Sequence, residues 1–337
     1  MIPFCQTNLS EEEKKALADV IDSGWVVLGK KSEEFEQKFA EYVGAKYSVF
    51  VDSGTSALFL ALQFLRKDLK EAPRLLVPSL TFTATAEAAL HAGYPIQFSE
   101  VNKETFCLDT IDNWSLPVHL LGNRAGEGAF IYDSAHRIEK DDVKGSMALW
   151  CYSFYATKNM TTGQGGMIAT NSKAASDWLR LARDHGLDLG TKERYQGKYK
   201  QYDVSFVGWR VKGDDLRAVI GLEQLKKLPA MTERRNEIVA RYNSKLGFRR
   251  AGNHVYPIFV SNREEFMQYM FDNGVQTTVH FRPLHLMSGY SKWTRSLPIT
   301  EYIGERIVSL PLYPNLKDKE IDFISKLVKG SNYFIHE

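Results

Sequence analysis

Short apolar runs alternate with amphipathic segments through the N-terminal half of the chain, and this alternation is the strongest constraint on its fold. Residues 47–51 predict a buried strand, and residues 55–66 predict the helix that follows it. A helix at 83–91 continues the pattern. The remaining predicted strands are 75–77, 96–98, 118–121, 130–132, 148–152 and 167–170. Such alternation favours an α/β fold with a mostly parallel sheet covered by helices.

The pattern changes near residue 213, where long amphipathic helices replace the short alternating elements. The predicted elements there are helices 214–227 and 232–246, strand 256–260, helix 264–273, strand 275–280 and a C-terminal helix from about residue 319. We therefore predict a large domain of residues 1–229 and a smaller α+β C-terminal domain of residues 230–337.

The composition argues against several classes of function. The 337 residues carry a formal net charge of +2, so we expect neither nucleic acid nor an anionic membrane surface as a partner. The apolar runs are much shorter than a membrane span, and the charged helix soon after Met1 is unlike a signal peptide. The cysteines (Cys5, Cys107, Cys151) lack a metal-ligand spacing, so we expect no metal and a reducing, cytoplasmic setting.

Lys158 lies in an unusual stretch, from Ser153 to Gly166, that is rich in small and hydroxylated residues and ends in a glycine-rich turn. Such a stretch suits neither a core nor a solvated helix face. A lysine amine is unreactive at neutral pH unless its site keeps it neutral or holds it in a Schiff base. The surroundings of Lys158 therefore indicate a lysine with a chemical role.

Asp133 and His136 follow the predicted strand 130–132. Ligands of open α/β sheets gather at the carboxyl ends of strands, so an acid there is well placed to meet a cation. Alternatively, Asp133 is a helix-capping or turn aspartate. A single histidine is more often a hydrogen-bonded structural residue than a functional one, but the nearby Asp133 favours a functional role for His136.

The turn from Ser53 to Ser56 lies between a predicted strand and a predicted helix. Gly54 lets the backbone approach an anion, and the helix start at Thr55 offers free N–H groups. The turn would suit one phosphate, although it lacks the lysine of a P-loop and the glycine spacing of a dinucleotide site. Many ordinary strand–helix turns look the same. Phe82 is either a core residue or a flat face for a planar cofactor.

Taken together, these residues supply a lysine for a Schiff base, an acid for a ring nitrogen, a phosphate-binding turn and an aromatic plate. Pyridoxal 5'-phosphate requires this combination, because a carboxylate keeps its ring nitrogen protonated and lets the ring accept electrons. The combination is much more specific than any of its members. It predicts that the large domain binds this cofactor.

The sequence resembles the DegT/DnrJ/EryC1/StrS family of sugar aminotransferases over nearly its whole length. The stretch around Lys158 is the most specific part of the resemblance. The matching motifs, in chain order, are Ser53-Gly54-Thr55-Ser56-Ala57-Leu58, the segment from Pro78 to Ala92 with Gly93-Tyr94-Pro95 after it, Pro117-Val118-His119-Leu120-Leu121-Gly122, Asp133-Ser134-Ala135-His136, Ser153-Phe154-Tyr155-Ala156-Thr157-Lys158-Asn159, Thr162-Gly163-Gln164-Gly165-Gly166, Val279-His280-Phe281-Arg282-Pro283-Leu284-His285 and Leu310-Pro311-Leu312-Tyr313-Pro314.

The resemblance implies a fold type I aminotransferase that forms a homodimer with active sites at the subunit interface. It implies transfer of an amino group from glutamate to a nucleotide-linked keto sugar, through a Schiff base on Lys158. By position in the motifs, Asp133 would pair with the ring nitrogen, His136 would approach the phenolic oxygen and Phe82 would stack on the ring. The residues implied to hold the phosphate are Gly54, Thr55 and Ser153.

The sequence departs from the family pattern in three places. Gly208 stands where family members place an asparagine that reaches the phosphate of the partner subunit. Gln164 replaces a common glutamate and so removes a charge close to Lys158. The link between Gly122 and Phe130 is shorter than the helical segment of relatives. These departures put in doubt the phosphate contact across the dimer and the immediate surroundings of Lys158.

Two alternatives to the aminotransferase follow from the same residues. One is a regulatory or sensing protein that binds the cofactor without turnover, which the departures at Gln164 and Gly208 leave open. The other is a sugar dehydratase of the same fold. The resemblance implies that such members have histidine in place of the lysine, so Lys158 argues against this alternative. We also expect residues 25–30 and 280–285 to border the sugar site, although Trp25 could equally be a packed aromatic.

Overall fold

The computed structural model describes residues 1–189 and 201–336. The helices are α1 (Glu11–Ser23), α2 (Lys30–Val43), α3 (Gly54–Arg66), α4 (Thr83–His91), α5 (Lys173–Ala182), α6 (Asp215–Leu246), α7 (Arg263–Asp272), α8 (Pro298–Arg306) and α9 (Asp318–Gly330). The strands are β1 (Tyr47–Val51), β2 (Leu75–Pro78), β3 (Ile96–Ser99), β4 (Ile131–Asp133), β5 (Leu149–Ser153), β6 (Gly166–Thr170), β7 (Tyr256–Phe259) and β8 (Ile307–Leu310). In these two ranges no helix is long and apolar enough to cross a membrane.

The central sheet is mixed. Its strand order is β1-β6-β5-β4, with β4 parallel to β5 and with β6 antiparallel to both of its neighbours. The parallel pair β2 and β3 extends the same surface, because isolated parallel bridges join Leu76 to Ser115 and Val118 to Asp133. Every strand of this surface except β6 therefore runs in one direction, and the predicted α/β class is confirmed.

The sheet separates two apolar cores. Val49, Val51 and Ile168 belong to the core on the side of α3 and α5. Phe50 and Met167, their neighbours in the strands, belong to the core on the side of α2 and α6. Successive strand side chains point to opposite faces, so strands that are apolar at every position are buried on both sides. This explains why their sequences read as continuous apolar runs.

The predicted helices 214–227 and 232–246 form one continuous helix, α6, of 32 residues with Pro229 inside it. Proline usually ends or kinks a helix because it removes an N–H group and crowds the preceding turn. Here the turns on both sides are held by packing, since Met231 lies in the core beside α2 and Ile238 lies in a third core. That third core contains α7, α9, β7 and β8. The division at 229/230 stays a prediction.

Two other predicted elements were wrong. Residues 118–121 do not form a strand, because the chain turns into a 3-10 helix at Leu120–Gly122 with Leu121 at a φ of 58°. Residues 275–280 do not form one either, because their isolated bridges run to different partners: Val275 pairs with Ile2, and Thr278 pairs with Ser309. Three elements, α5, α8 and β8, were not predicted at all.

Candidate active site

A cavity of about 470 Å³ opens at the carboxyl ends of β1, β4 and β5. A volume of this size is typical of a small-molecule site. All seven residues that the sequence predicted for the cofactor line it: Gly54, Thr55, Phe82, Asp133, His136, Ser153 and Lys158. The parallel strands bring these residues together from positions more than a hundred residues apart in the chain, because their carboxyl ends share one edge of the sheet.

Lys158 lies in the loop between β5 and β6, on the floor of the cavity. The loop is held by its own backbone, because Lys158 N–H donates to the Tyr155 carbonyl at 3.0 Å and Thr162 N–H donates to the Phe154 carbonyl at 3.0 Å. Burial lowers the pKa of the Lys158 amine to about 8, although the nearby carboxylate of Asp133 opposes this shift. A substantial share of the amine is therefore neutral near pH 8.

Asp133 is the last residue of β4 and is 4% exposed. Its carboxylate accepts hydrogen bonds from Thr85 Oγ1 at 2.8 Å and from the Ala135 N–H at 3.0 Å. Burial raises its pKa, although the charge of Lys158 opposes this shift, and in residues 1–189 and 201–336 Asp133 forms no ion pair. Asp133 is thus a buried acid that lacks a cationic partner, which fits a protonated ring nitrogen.

Thr85 is a site residue that was not predicted from the sequence. It lies in the first turn of α4, where its hydroxyl donates to Asp133 and lies 2.9 Å from the hydroxyl of Thr81. Both threonines line the cavity. The sequence carries no local signal for this role, because Thr81 precedes the helix and Thr85 acts through Asp133, which is 48 residues away in the chain.

His136 is buried, lines the same cavity as Lys158 and keeps a defined tautomer. Its Nδ1 accepts a hydrogen bond from the Leu121 N–H at 3.3 Å, so the proton of the neutral ring lies on Nε2. Burial, reinforced by the charge of Lys158 and by two other histidines, His254 and His280, lowers the pKa of His136 well below its usual range. His136 is therefore a neutral donor through Nε2.

The turn at the start of α3 has free backbone donors. Ser53 accepts from the Ser56 N–H at 3.1 Å and, through its carbonyl, from the Ala57 N–H at 3.0 Å. In the described part of the chain, the N–H groups of Gly54 and Thr55 have no such partner. A Cβ atom on Gly54 would lie 2.7 Å from the Ser153 Cβ, so only glycine allows the turn to approach that residue. Free N–H groups beside a serine form an anion site.

Aromatic side chains close the outer part of the cavity. Phe82 is 56% exposed, although it lines the cavity, and its ring centroid lies 6.0 Å from that of Phe281. Within the predicted bordering segment 280–285, His280 and Phe281 reach the cavity, whereas His285 is buried against Ser79 at 2.6 Å. Among the described residues that line this cavity, none belongs to the segment 25–30.

The two departures at Gln164 and Gly208 occupy different places. Gln164 lines the cavity, so its neutral side chain faces the same space as Lys158. Gly208 packs against the end of α5, where an added Cβ would lie 2.4 Å from the Gly186 nitrogen and 2.7 Å from the His185 carbonyl carbon. Glycine at this position is explained by close backbone packing.

The side chains that line the cavity fit pyridoxal phosphate. The free N–H groups of Gly54 and Thr55 suit its phosphate, and the unpaired acid Asp133 suits its ring nitrogen. The neutral Nε2–H of His136 suits its phenolic oxygen. The amine of Lys158, which has a lowered pKa, suits covalent attachment to the carbonyl carbon of the cofactor. Each requirement of the cofactor thus has a matching group in one cavity.

Comparison with known proteins agrees with this fit. A model of the DegT/DnrJ/EryC1/StrS aminotransferase family matches residues 7–112 and 128–329 and leaves out residues 113–127. The spore coat polysaccharide biosynthesis protein SpsC of Bacillus subtilis (strain 168) is 30% identical, with 97% of this chain and 96% of SpsC covered.

Solved structures show the same fold. The sugar aminotransferase CalS13 from Micromonospora echinospora has a TM-score of 0.87 at 24% identity, with 98% of this chain and 100% of CalS13 covered. Spr1654 from Streptococcus pneumoniae, solved in a PLP form, has a TM-score of 0.83 at 24% identity, with 96% and 97% covered. The predicted fold type I architecture is thereby confirmed, and the PLP form of Spr1654 agrees with the predicted pyridoxal phosphate cofactor. The chain belongs to the DegT/DnrJ/EryC1/StrS aminotransferase family.

Proposed function

We propose that this aminotransferase acts on sugars and moves an amino group from glutamate to the keto group of a nucleotide-linked sugar. The observation that carries the proposal is the shared cavity of Lys158 and Asp133, in which the lysine has a pKa of about 8. The names of two similar proteins support a sugar substrate, because SpsC is named for polysaccharide biosynthesis and CalS13 is named a sugar aminotransferase.

Four side chains would hold the cofactor ring and its carbonyl carbon. Lys158 would be the point of covalent attachment and the catalytic residue. Asp133 would pair with the ring nitrogen, His136 would donate to the phenolic oxygen through Nε2, and Phe82 would cover one face of the ring. When bound, pyridoxal phosphate supplies a carbonyl that takes up an amino group and a ring that withdraws electrons from the carbon being deprotonated.

Three residues would hold the cofactor's phosphate. Gly54 and Thr55 would donate through their free backbone N–H groups, and Ser153 would donate through its hydroxyl. The N-terminal end of α3 carries a partial positive charge that favours an anion at this place. No basic side chain lines this part of the cavity in the described ranges, so backbone donors would carry most of the interaction.

Lys158 would act as the base of both half-reactions. Once released by the incoming amino donor, its Nζ takes the proton from the donor's α-carbon. In the return half-reaction, Nζ moves a proton to the sugar carbon that receives the nitrogen. A pKa of about 8 suits both tasks, because the amine can hold or release a proton near neutral pH. Ping-pong kinetics follow from the two halves.

The proposal includes a homodimer in the cytoplasm, with a large domain at 1–229 and a small domain at 230–337. Apolar side chains near the cavity support a partner surface: Phe82 is 56% and Tyr155 is 47% exposed, and both line the cavity. Val207, on the chain segment before α6, is 87% exposed. Sedimentation velocity should give the mass of a dimer, and a monomer under assay conditions would contradict this part.

The decisive experiment adds pyridoxal phosphate and then glutamate to the purified protein. We expect a yellow protein in which borohydride fixes the cofactor's mass onto the Lys158 peptide, and we expect glutamate to convert the absorbance to that of the pyridoxamine form. A protein that stays colourless with pyridoxal phosphate would sink the proposal. If the cofactor binds but no amino donor converts it, the sensing protein is favoured instead.

A screen of keto sugar nucleotides with glutamate then identifies the acceptor. The expected product is an amino sugar nucleotide, measured by mass spectrometry together with 2-oxoglutarate. The dehydratase alternative predicts loss of water from the sugar without any gain of nitrogen, so the product mass separates the two reactions.

A further inference from the structure

His254 is a buried histidine just before β7 that the mechanism above does not use. It is 4% exposed, and its backbone N–H donates to the Leu121 carbonyl at 3.1 Å. The two backbones approach closely here, because a Cβ atom on Gly122 would lie 2.9 Å from the His254 nitrogen. The segment before β7 is therefore docked directly on the turn that follows residue 118.

The ring of His254 packs on the ring of His136. Their centroids lie 4.2 Å apart, with 32° between the planes. Leu121 connects the same two residues, because its N–H donates to His136 Nδ1 at 3.3 Å while its carbonyl accepts from the His254 N–H. The orientation of His136 thus depends on His254 twice, through ring contact and through the shared peptide of Leu121.

His254 also reaches the loop that carries Lys158. Its Nδ1 lies 2.8 Å from the side-chain oxygen of Asn159, the residue directly after Lys158. Asn159 is 2% exposed, so this bond is shielded from water. A buried amide that lost this partner would be left unsatisfied at a cost of about 1–3 kcal/mol, which makes the contact a firm constraint on the loop.

We propose that His254 is a positioning residue of the active site, whose single imidazole holds both the Lys158 loop, through Asn159, and the ring of His136. The inference rests on the proposed function, in which Lys158 moves the proton and His136 donates to the cofactor. His254 contacts His136, which follows β4, and Asn159, which is the neighbour of Lys158 in the loop after β5, and it comes itself from the segment before β7. Its role is to keep their separation constant.

Burial, together with the surrounding positive groups, keeps the imidazole of His254 neutral. Burial lowers its pKa well below the usual range, and the nearby positive groups Lys158 and Arg235 lower it further. A neutral ring donates through one nitrogen only, which suits a single fixed bond to the Asn159 oxygen. The titratable groups that bear on Lys158 itself include Asp133 and Cys5, which oppose its lowered pKa.

The test compares three variants of the full-length chain. His254→Leu keeps the volume but removes the bond to Asn159, and His254→Gln keeps a donor for it. His119→Leu is the matched control, because His119 is also buried and neutral and also makes one side-chain hydrogen bond, but its partners are the Ala125 N–H and the rings of Tyr132 and Trp150. Thermal unfolding of all three separates lost folding from lost positioning.

The first readout needs no cofactor. Trace acetylation of the Lys158 amine, followed by peptide mass spectrometry across pH, measures the pH at which the amine becomes reactive. The wild-type midpoint should lie near 8. In His254→Leu the released loop admits water to Lys158, so the midpoint should rise by about 0.5–1 pH unit, whereas His254→Gln and His119→Leu should keep the wild-type midpoint.

The second readout is the transamination rate of the loaded enzyme. His254→Leu should lower kcat by about 10–100-fold, because a small misplacement of the reacting groups is costly, and it should leave KM for glutamate within about 2-fold. His254→Gln should restore kcat to within about 3-fold of wild type. Wild-type acetylation and kcat in a folded His254→Leu variant would overturn the inference.

A double variant tests the route through Asn159. If His254 acts on Lys158 through that amide, His254→Leu combined with Asn159→Leu should raise the acetylation midpoint no further than either single change. Independent, additive shifts would overturn the route. Failure of the proposed function, seen as absence of cofactor binding by wild type, is separate from these outcomes because acetylation is measured without cofactor.

Discussion

The two sides of the active-site cavity are built differently. One side consists of residues at strand ends, such as Asp133 after β4 and Ser153 at the end of β5. The other side comes from irregular segments that pack beside the C-terminal core: His280, before the 3-10 turn at Leu284–Leu286, lines the cavity, and His254, before β7, packs on the ring of His136. The strand-end side carries the groups that bind and react. The opposite side carries groups that hold them in place, so the two should respond differently to substitution.

The strand-end side should show the largest effect. Lys158→Ala should lower transamination by at least about 10³-fold, because it removes both the point of attachment and the base. The anion site at the start of α3 is untouched, so the variant should still bind the cofactor without a covalent bond. Steady-state rates and borohydride labelling measure these outcomes. Lys144→Ala, which changes an exposed lysine, is the control. Full activity of Lys158→Ala would refute the assignment.

Asp133→Asn should give the next largest effect, a loss of about 10²-fold in kcat. The amide fills the same space but no longer holds a proton on the ring nitrogen of the cofactor. Cofactor affinity should change much less than kcat, because the phosphate site is intact. Thr85→Val, which removes only one hydrogen bond to Asp133, should cost about 10-fold or less. A larger loss for Thr85→Val than for Asp133→Asn would contradict this expected order.

On the opposite side, a substitution should lower the free energy of unfolding more than it lowers the catalytic rate. Gly122→Ala should lower the free energy of unfolding by about 3 kcal/mol, because Gly122 has a φ of 94° and its new Cβ would lie 2.6 Å from the Asn253 nitrogen. Gly145→Ala is the matched control, with a φ of 76° and nothing within 4 Å, and should cost about 1 kcal/mol. Urea unfolding measures both. Equal losses would mean that the docking contact contributes nothing.

Gln164→Glu should give the smallest effect. A carboxylate on this side chain would face the same cavity as Lys158 and favour the charged amine, so the pKa of Lys158 should rise above about 8. The pH at which the activity of the enzyme increases should move upward by less than about 1 unit, with kcat at the optimum within about 3-fold of wild type. An unchanged or lowered pH profile would contradict this electrostatic argument.

Much of the fold could be predicted from the sequence because of the way its strands are buried. β1, β5 and β6 are apolar at nearly every position, since their alternate residues enter two different cores. Residues 118–121 are equally apolar, but they turn at Leu121 so that its N–H can reach His136. Residues 275–280 pair with two unrelated segments. Long-range hydrogen bonds decided both cases, and they leave no local pattern.

The candidate site divides in the same way. Gly54, Asp133 and Lys158 could be found because chemistry requires their residue types next to strands or in a glycine-rich turn. His254 and Thr85 could not, because each acts through a contact with a residue distant in sequence: Asn159 for His254 and Asp133 for Thr85. The continuity of α6 across Pro229 could not be predicted for a related reason. Packing on two cores outweighs the tendency of proline to end a helix.

The unbroken α6 determines how the protein could be divided into two polypeptides. Residue 229 lies well inside a helix of 32 residues, so a cut at the predicted boundary would give each fragment one part of a helix and an exposed apolar stripe. Fragments 1–229 and 230–337 would have to rebuild that helix on association before either core was complete. A cut in the exposed stretch around residues 201–205, before α6 begins, would leave the helix whole in the C-terminal fragment. Split-protein complementation should therefore succeed there and fail at the predicted 229/230 boundary.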